Sequence, residues 1–481
     1  MSTLPALADR SSIYVDGQWV DSSSTLTVEV INPSTEQVIA RVPAGCPDDV
    51  ERVVQAAGAA RDSWASSDVA TRAKLIDGLL DGLKSRKDAL GDTIALEVGT
   101  PRKMAGWLQM GLGLMDVETV RRAMDTFEWR EQVGPSVVLR EAVGVVGAIT
   151  PWNYPLHQIT AKVTAALAAG CTVVLKPSEL TPLTAYLFAD AVHDAGFPPG
   201  VFNMVMGGRA VGEAIVAHPQ VDMVSFTGSN AVGRSLLHAV ADSVKKVALE
   251  LGGKSASVVL DDADLDLAVE TTVRSCFQNA GQTCTALTRM LVPRARLAEV
   301  ERKVAAFAST FRTGDPFVPA STLGPMVSST HLARVRSYIE SGEAEGARLL
   351  CGGSEPAGLP ETGWFVAPTV FTDVRPDMRI AQEEIFGPVL SILAYDDEDE
   401  AVSIANGTIY GLSSSVFAGS DERAETIARR MRSGQVNING GGFNPLAPFG
   451  GYKQSGLGRE GGRFGIDEFV EVKSMQYPAK R

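Results

Sequence analysis

Between positions 143 and 251 the chain alternates short Val/Ile-rich runs with helix-length segments: VGVVGAI, then 156–169, CTVVLKP, 181–195, VFNMVMG, 210–218, VDMVSF, 231–243 and KKVALEL. Strands joined by helical crossovers run parallel, and a parallel sheet needs both faces covered. This alternation therefore commits the region to βαβ units of a nucleotide-binding type. A second α/β stretch opens with SASVVL at 255–260 and passes helical segments at 297–311 and 331–345, before strands near Val370, at 389–393 and at 413–417. Ligand sites in such sheets lie beyond the carboxyl ends of the strands. The loops at 150–154 and 227–229 fall there, so the active site is expected between the two α/β units.

Composition narrows the class. A chain of 481 residues, 45% hydrophobic and 21% charged, supports two or three cores and argues against disorder. A net charge of -13 with no dense Lys/Arg block opposes nucleic acid and anionic membrane as partners, leaving small molecules and sister subunits. The opening MSTLPALADRSS has no basic region followed by an apolar core, so no secretory signal is read there. Lys162 and Lys176 interrupt the longest apolar stretch, which is left too short to cross a bilayer. The 5 cysteines have no CxxC or Cys/His spacing, so no metal site is expected; unpaired, they place the chain in the reducing cytoplasm.

Around this centre lie scaffold elements. Residues 13–20 alternate about Asp16-Gly17, which predicts a hairpin, and helices are expected at 47–64 and 70–90. Segments 137–146 and 469–475 read as outlying strands, the second alternating Val470 and Val472 against Glu471 and Lys473. A strand with one apolar face seldom stays unpaired, so contact with a partner subunit is expected.

Cys46, Cys171, Cys276 and Cys351 read as small buried apolar residues. Cys284 differs, because Gly281-Gln282 in FQNAGQTCT marks a turn after the helical spacing Leu265, Val269, Val273, Phe277. That turn delivers the thiol past a helix C-terminus, whose dipole disfavours an anion, so activation must come from elsewhere. Glu250, in ELGGKS, offers a carboxylate base. Leu249 and Leu251, if buried with it, would raise its pKa toward neutrality.

The strings AITPWNYP at 148–155, LKPSE at 175–179, FTGS at 226–229, LELGGKS, FQNAGQTC, EEIFGPV at 383–389 and PFGGYKQSGLGRE at 448–460 occur in one order over nearly the full chain. Together they resemble the aldehyde dehydrogenase superfamily, in its NAD(P)-dependent, non-CoA-acylating form. The resemblance implies an α/β fold with two parallel-sheet domains. A variant Rossmann NAD-binding domain would span 1–122 and 143–252, and a catalytic domain 253–452. A small β bridging and oligomerisation element would comprise 123–142 and 453–481, and the assembly would be a homodimer or homotetramer.

The same resemblance assigns roles. Cys284 would attack an aldehyde to give a thiohemiacetal, hydride would pass to NAD, and water would hydrolyse the resulting thioester. Asn153 would be the oxyanion donor, although alone it reads as a turn former before Pro155. Glu250 would be the general base, although alone it reads as a strand-end carboxylate in a salt bridge.

For the cofactor no G-x-G-x-x-G is present; FTGSNAVGR would replace it through Gly228, Ser229 and Gly233, with Thr150, Pro151, Trp152 and Leu251 alongside. Lys176, Ser178 and Glu179 would hold the adenosine ribose. A carboxylate at Glu179 repels a 2′-phosphate, so NAD is favoured and NADP is the weaker alternative. Glu384 would hold the nicotinamide ribose with Phe386 against the ring; its other reading is an exposed acid near 396–400.

Tyr154, His157, Gln158 and Ala161 would line a substrate tunnel, with Thr283, Thr285, Phe443 and Phe449 opposite. His157, Gln158 and Ala161 stand where relatives acting on simple aldehydes carry bulky apolar residues, which points to a roomier or more polar substrate. Two rivals remain. A CoA-acylating semialdehyde dehydrogenase would generally lack Glu250, and a non-catalytic NAD-binding structural protein would have lost the nucleophile or base.

Overall fold

The computed structural model describes residues 8–478. Much of the N-terminal stretch read for a leader, and the last residues of the 453–481 segment, lie outside the described residues.

The expected hairpin forms between Ser12–Val15 and Gln18–Asp21, with Val15 opposite Gln18. Its two turn residues, Asp16 (φ 53) and Gly17 (φ 79), are both left-handed, as a two-residue turn matching strand twist requires. Tyr14 pairs with Met204, so the hairpin extends an 8-stranded sheet. In that sheet Lys246–Glu250, Met223–Thr227, Val145–Ile149, Thr172–Lys176 and Phe202–Met204 lie side by side and parallel. The chain enters at Val145–Ile149, winds outward to one side, then returns to place Met223–Thr227 on the other. This reversal opens a crevice at the carboxyl ends, where the loops after Ile149 and Thr227 emerge.

The helix Pro155–Ala169 fills the space behind this crevice. Pro155 opens it and Gly170, at φ 95, closes it. Every residue of this helix is buried except His157. The second sheet is 7-stranded, and Ala256–Val259, Arg289–Pro293, Val389–Tyr395, Thr369–Thr372, Ser413–Phe417 and Gln435–Ile438 are parallel within it. Each sheet carries its own apolar cluster. The short link after Glu250 passes from the first sheet to the second, so a strand-end residue there faces both units.

Three expectations change. The single helix at 70–90 is two, Val69–Ser85 and Lys87–Glu97, with Arg86 (φ -100, ψ 11) capping both. The second is buried on most of its circumference from Leu90 to Glu97, which needs a change of direction that a straight amphipathic helix cannot make. The 137–146 strand also divides. Ser136–Ala142 joins a 3-stranded sheet with Arg130–Val133 and Val470–Gln476, whereas Val145–Ile149 belongs to the first large sheet; Gly144, at φ 127, separates them.

Finally, most of 453–481 does not stand apart. Gly456–Leu457 pairs with Lys246–Glu250, and Gly462–Glu468 packs on Met110–Met124 and Pro155–Ala169. Ile466 and Phe469 anchor that segment in the first core, and only Val470–Gln476 forms the outlying strand.

Among the described residues no helix is long and apolar enough to cross a membrane.

Candidate active site

The helix Leu265–Phe277, capped by Asp264, ends in a left-handed reversal through Asn279 (φ 52), Ala280 (φ 54) and Gly281 (φ 75). A Cβ at Gly281 would sit 2.1 Å from the Gly387 carbonyl, so the loop is wedged against the Phe386–Gly387 backbone and only glycine fits. Gln282 ties the loop down. Its amide donates to Asn279 O at 3.1 Å and Pro325 O at 3.3 Å, and its Oε1 accepts from Val327 N at 2.9 Å. Beyond it Thr283, Cys284 and Thr285 keep partial access to solvent. Burial pushes the Cys284 thiol up to about 12, with Glu384 and Glu250 adding to the effect. The resting residue is a thiol, and deprotonation needs a base.

Asn153 is buried in the loop after Val145–Ile149, and its Nδ2 donates to Gln282 O at 3.0 Å. A carboxamide nitrogen has two hydrogens, so one remains for a ligand. The Asn153 carbonyl accepts from Asn279 Nδ2 at 2.9 Å and from Gln109 Nε2 at 3.3 Å. Thr100 closes the cluster, donating to Asn279 Oδ1 at 2.6 Å and accepting from Gln109 at 2.7 Å. Gln109 ends a wide π-helical turn, Ala105–Gln109, which brings it inward. The sequence reading missed Thr100, Gln109 and Asn279 in this role, because nothing in a single polar side chain announces such a partner.

Glu250 ends its strand 5% exposed, between buried Leu249 and Leu251. Among the described residues its Oε2 has no hydrogen-bond partner. Burial lifts its pKa well above the usual carboxylate range; Glu460 adds to this, while Lys162 and Arg459 oppose it. Lys162, 1% exposed on the buried helix, is ion-paired with Glu460. This pair was not legible in sequence, since its members come from distant segments.

On the crevice side Thr150 N donates to Lys176 O at 3.1 Å, and the Thr150 hydroxyl is buried without a partner among the described residues. Lys176 Nζ lies 3.6 Å from Glu179 Oε2, with the Glu179 side chain 41% exposed. Ser178 Oγ accepts from Leu180 N at 3.2 Å. Ser229 caps the helix Asn230–Val240, whose N-terminus faces the crevice. A Cβ at Gly233 would meet Leu251 at 2.9 Å, and Gly228 N donates to Glu250 O at 3.0 Å.

After Pro151, the Trp152 ring meets Phe386 edge-on at 5.5 Å. His331, another residue the sequence reading missed, donates Nε2–H to Phe386 O at 2.8 Å and holds that residue at φ 64. Burial pushes the His331 pKa down to about 4, so it is neutral. Glu384 is no surface acid of the 396–400 region: its Oε1 accepts from Gly253 N at 2.9 Å, and burial pushes its pKa up to about 7.

Around the thiol, Tyr154 OH bonds Thr283 Oγ1 at 2.9 Å and accepts from Gln278 at 3.0 Å. Burial pushes the tyrosine up to about 12, so it stays neutral. His157 Nδ1 meets Asp116 Oδ2 at 2.7 Å. Ala161 shares its helix face with His157, whereas Gln158 is buried with Oε1 unpartnered. Phe443 is exposed, and its ring meets Phe449 edge-on at 6.1 Å.

A thiol, a spare amide hydrogen and an unpartnered buried carboxyl oxygen thus converge where two parallel sheets meet. The aldehyde dehydrogenase family model matches residues 19–475. The chain belongs to the aldehyde dehydrogenase family. It is 46% identical to the 3-succinoylsemialdehyde-pyridine dehydrogenase of a Pseudomonas species, over 98% of this chain and 99% of that protein. Among solved structures it is similar to aldehyde dehydrogenase C of Pseudomonas syringae, a cysteine-to-alanine mutant complexed with NAD+ and octanal. The TM-score is 0.97 and the identity 47%, with 98% of each chain covered. It is also similar to the NAD+-complexed aldehyde dehydrogenase of Mycobacterium tuberculosis, with a TM-score of 0.96 and 41% identity over 98% of this chain and 99% of that one.

Proposed function

We propose that this aldehyde dehydrogenase oxidises an aldehyde to its carboxylic acid with NAD, through a covalent adduct on Cys284. The observation that carries the reading is the close approach of three segments: Asn153 Nδ2 bonds the Gln282 carbonyl at 3.0 Å, two residues before Cys284, and a Cβ at Gly253, three residues after Glu250, would lie 2.4 Å from the Cys284 carbonyl. The residues present fit NAD. The buried, unpartnered Thr150 hydroxyl, the helix N-terminus at Ser229 and the Glu179 carboxylate offer donors for phosphate and an acceptor for a ribose hydroxyl. Bound NAD supplies the hydride acceptor.

The chain's own groups do the rest. Cys284, partly open to solvent, gives up its thiol proton to water, and its Sγ bonds to the aldehyde carbon as the carbonyl π pair moves onto the oxygen. The spare Asn153 N–H donates to the oxyanion that forms, a contact worth roughly 3–4 kcal/mol when preorganised. Loss of hydride leaves a thioester. Glu250, as carboxylate, takes a proton from water attacking that thioester, and the thiolate leaves with the acyl bond broken. An aldehyde panel with NAD and NADP, followed by absorbance of the reduced nicotinamide, tests the reaction. If product required CoA, the CoA-acylating rival would replace this reading.

Glu179 sets cofactor choice in this account. Glu179→Gln removes repulsion against a 2′-phosphate of about -2 charge while Lys176 remains as an attractor. The ratio of kcat/KM for NAD over NADP is expected to fall about tenfold or more. A parent enzyme that prefers NADP would contradict this role.

The outlying strand supports a homodimer or homotetramer. Val470–Gln476 pairs on one side with Ser136–Ala142 and, among the described residues, no strand pairs with its other edge, with Val472 66% and Tyr477 53% exposed beside it. A free edge with apolar residues is a template for a second strand. Deleting residues 470–481 is expected to lower the oligomeric state, read by light scattering; an unchanged mass would show the strand to be peripheral. The cysteines, all free, suit the cytoplasm.

A further inference from the structure

Solvent reaches the helix Pro155–Ala169 at one place. Fourteen of its residues are packed away; His157, with 18% of its side chain accessible, is not, and Ala161 is the small residue one turn further along that face. Thr283, Cys284 and Thr285 also keep partial access to solvent, and Tyr154 touches both Thr283 and His157. Its hydroxyl bonds Thr283, and its ring meets the His157 ring edge-on at 6.4 Å. His157 therefore stands one side-chain contact beyond Tyr154 from the residue next to the thiol, with the small Ala161 on the same helix face.

His157 is a built feature of that wall. Its Nδ1 is held at 2.7 Å by Asp116 Oδ2, and the same oxygen accepts from Thr160 at 2.7 Å. Asp116 lies on the helix Met110–Met124, so the ring is fixed from a second element. Among the described residues nothing bonds Nε2.

We propose that His157, oriented by Asp116, is the specificity-determining residue of this enzyme and donates from Nε2 to a hydrogen-bond acceptor on the tail of the aldehyde, such as a ketone, carboxylate or ring nitrogen. This rests on the aldehyde-oxidising function proposed above and adds the class of substrate. With Nδ1–H given to Asp116, Nε2 donates only when the ring is protonated. Burial works against that charge, but Asp116 and Glu460 outweigh it together with the opposing Lys162, so the pKa of His157 is raised above its ordinary value. An apolar tail would gain nothing from the pair and would leave Nε2–H unbonded, which is how a polar site discriminates.

The test compares octanal with a chain-matched aldehyde bearing a mid-chain ketone, as the ratio of their kcat/KM values with saturating NAD. The parent is expected to favour the keto-aldehyde. His157→Leu is expected to cut that ratio about tenfold or more, the worth of one hydrogen bond to a charged group. His157→Gln, which keeps a donor, should restore part of it.

Asp116 is the positioning residue in this scheme. Without its carboxylate the ring loses its proton at lower pH, so in Asp116→Asn the preference should fade at lower pH than in the parent. Equal ratios in parent and His157→Leu, with octanal turnover still measurable, would overturn the proposal and leave aldehyde oxidation standing. A parent that oxidises neither aldehyde would overturn both.

Discussion

Cys284→Ala is expected to lose about 10³-fold or more in kcat while its affinity for NAD stays close to the parent's. In the proposed route the sulfur bonds the substrate carbon and then leaves it, a role its neighbours are not suited to. Cys276 has no solvent access, and burial pushes its thiol up to about 12; Thr285 flanks the site but carries only a hydroxyl. The loop itself is held by Gln282, Asn279 and the Gly387 backbone, so removing one sulfur atom should leave its shape intact. The control is Cys276→Ala, which empties a small volume in the second core and should cost about 1 kcal/mol of stability with activity retained. Cofactor titration and steady-state rates on both variants check this, and near-parental turnover by Cys284→Ala would remove the covalent route.

Glu250→Gln should separate the two halves of the reaction. Attack and hydride loss need a base for one thiol proton, whereas deacylation needs a proton taken from water, a much weaker acid. The expected result is a burst of reduced nicotinamide followed by turnover about 10²-fold slower. Because the Glu250 pKa is raised by burial and Glu460, its carboxylate form grows as pH rises through that elevated value. The parent's deacylation rate should climb over the same interval, and Glu250→Gln should flatten that limb. A variant with an unchanged pH profile would assign the base to another group.

The sheets and the groups proposed to react were singled out in sequence for different reasons. Parallel βαβ units impose their own grammar, so Val145–Ile149, Thr172–Lys176 and Met223–Thr227 stand close to where the alternation puts them. Cys284 and Glu250 were found because strings around them resemble a family, and the burial of Glu250 follows from Leu249 and Leu251 on either side.

What sequence could not give is pairing between distant residues. Lys162 with Glu460, His157 with Asp116 and the Thr100–Gln109–Asn279 cluster are each assembled by helix packing, and no local pattern marks them. The break at Arg86 and the docking of Gly462–Glu468 on the first core have the same origin: tertiary burial overrode a periodicity that was locally continuous and a boundary that was locally reasonable. Glu384 also looks like any acid in an acidic stretch until the Gly252-Gly253 backbone closes over it, where a Cβ at Gly252 would lie 2.3 Å from its carboxylate.

The most direct measurement is peptide mass spectrometry of Glu250→Gln, quenched in acid during the burst with octanal and NAD. An octanoyl mass is expected on the peptide containing Cys284, formed in step with reduced nicotinamide and absent without the cofactor. Steady reduced-cofactor formation with no acyl group on that peptide, or an acyl group on another cysteine, would contradict it.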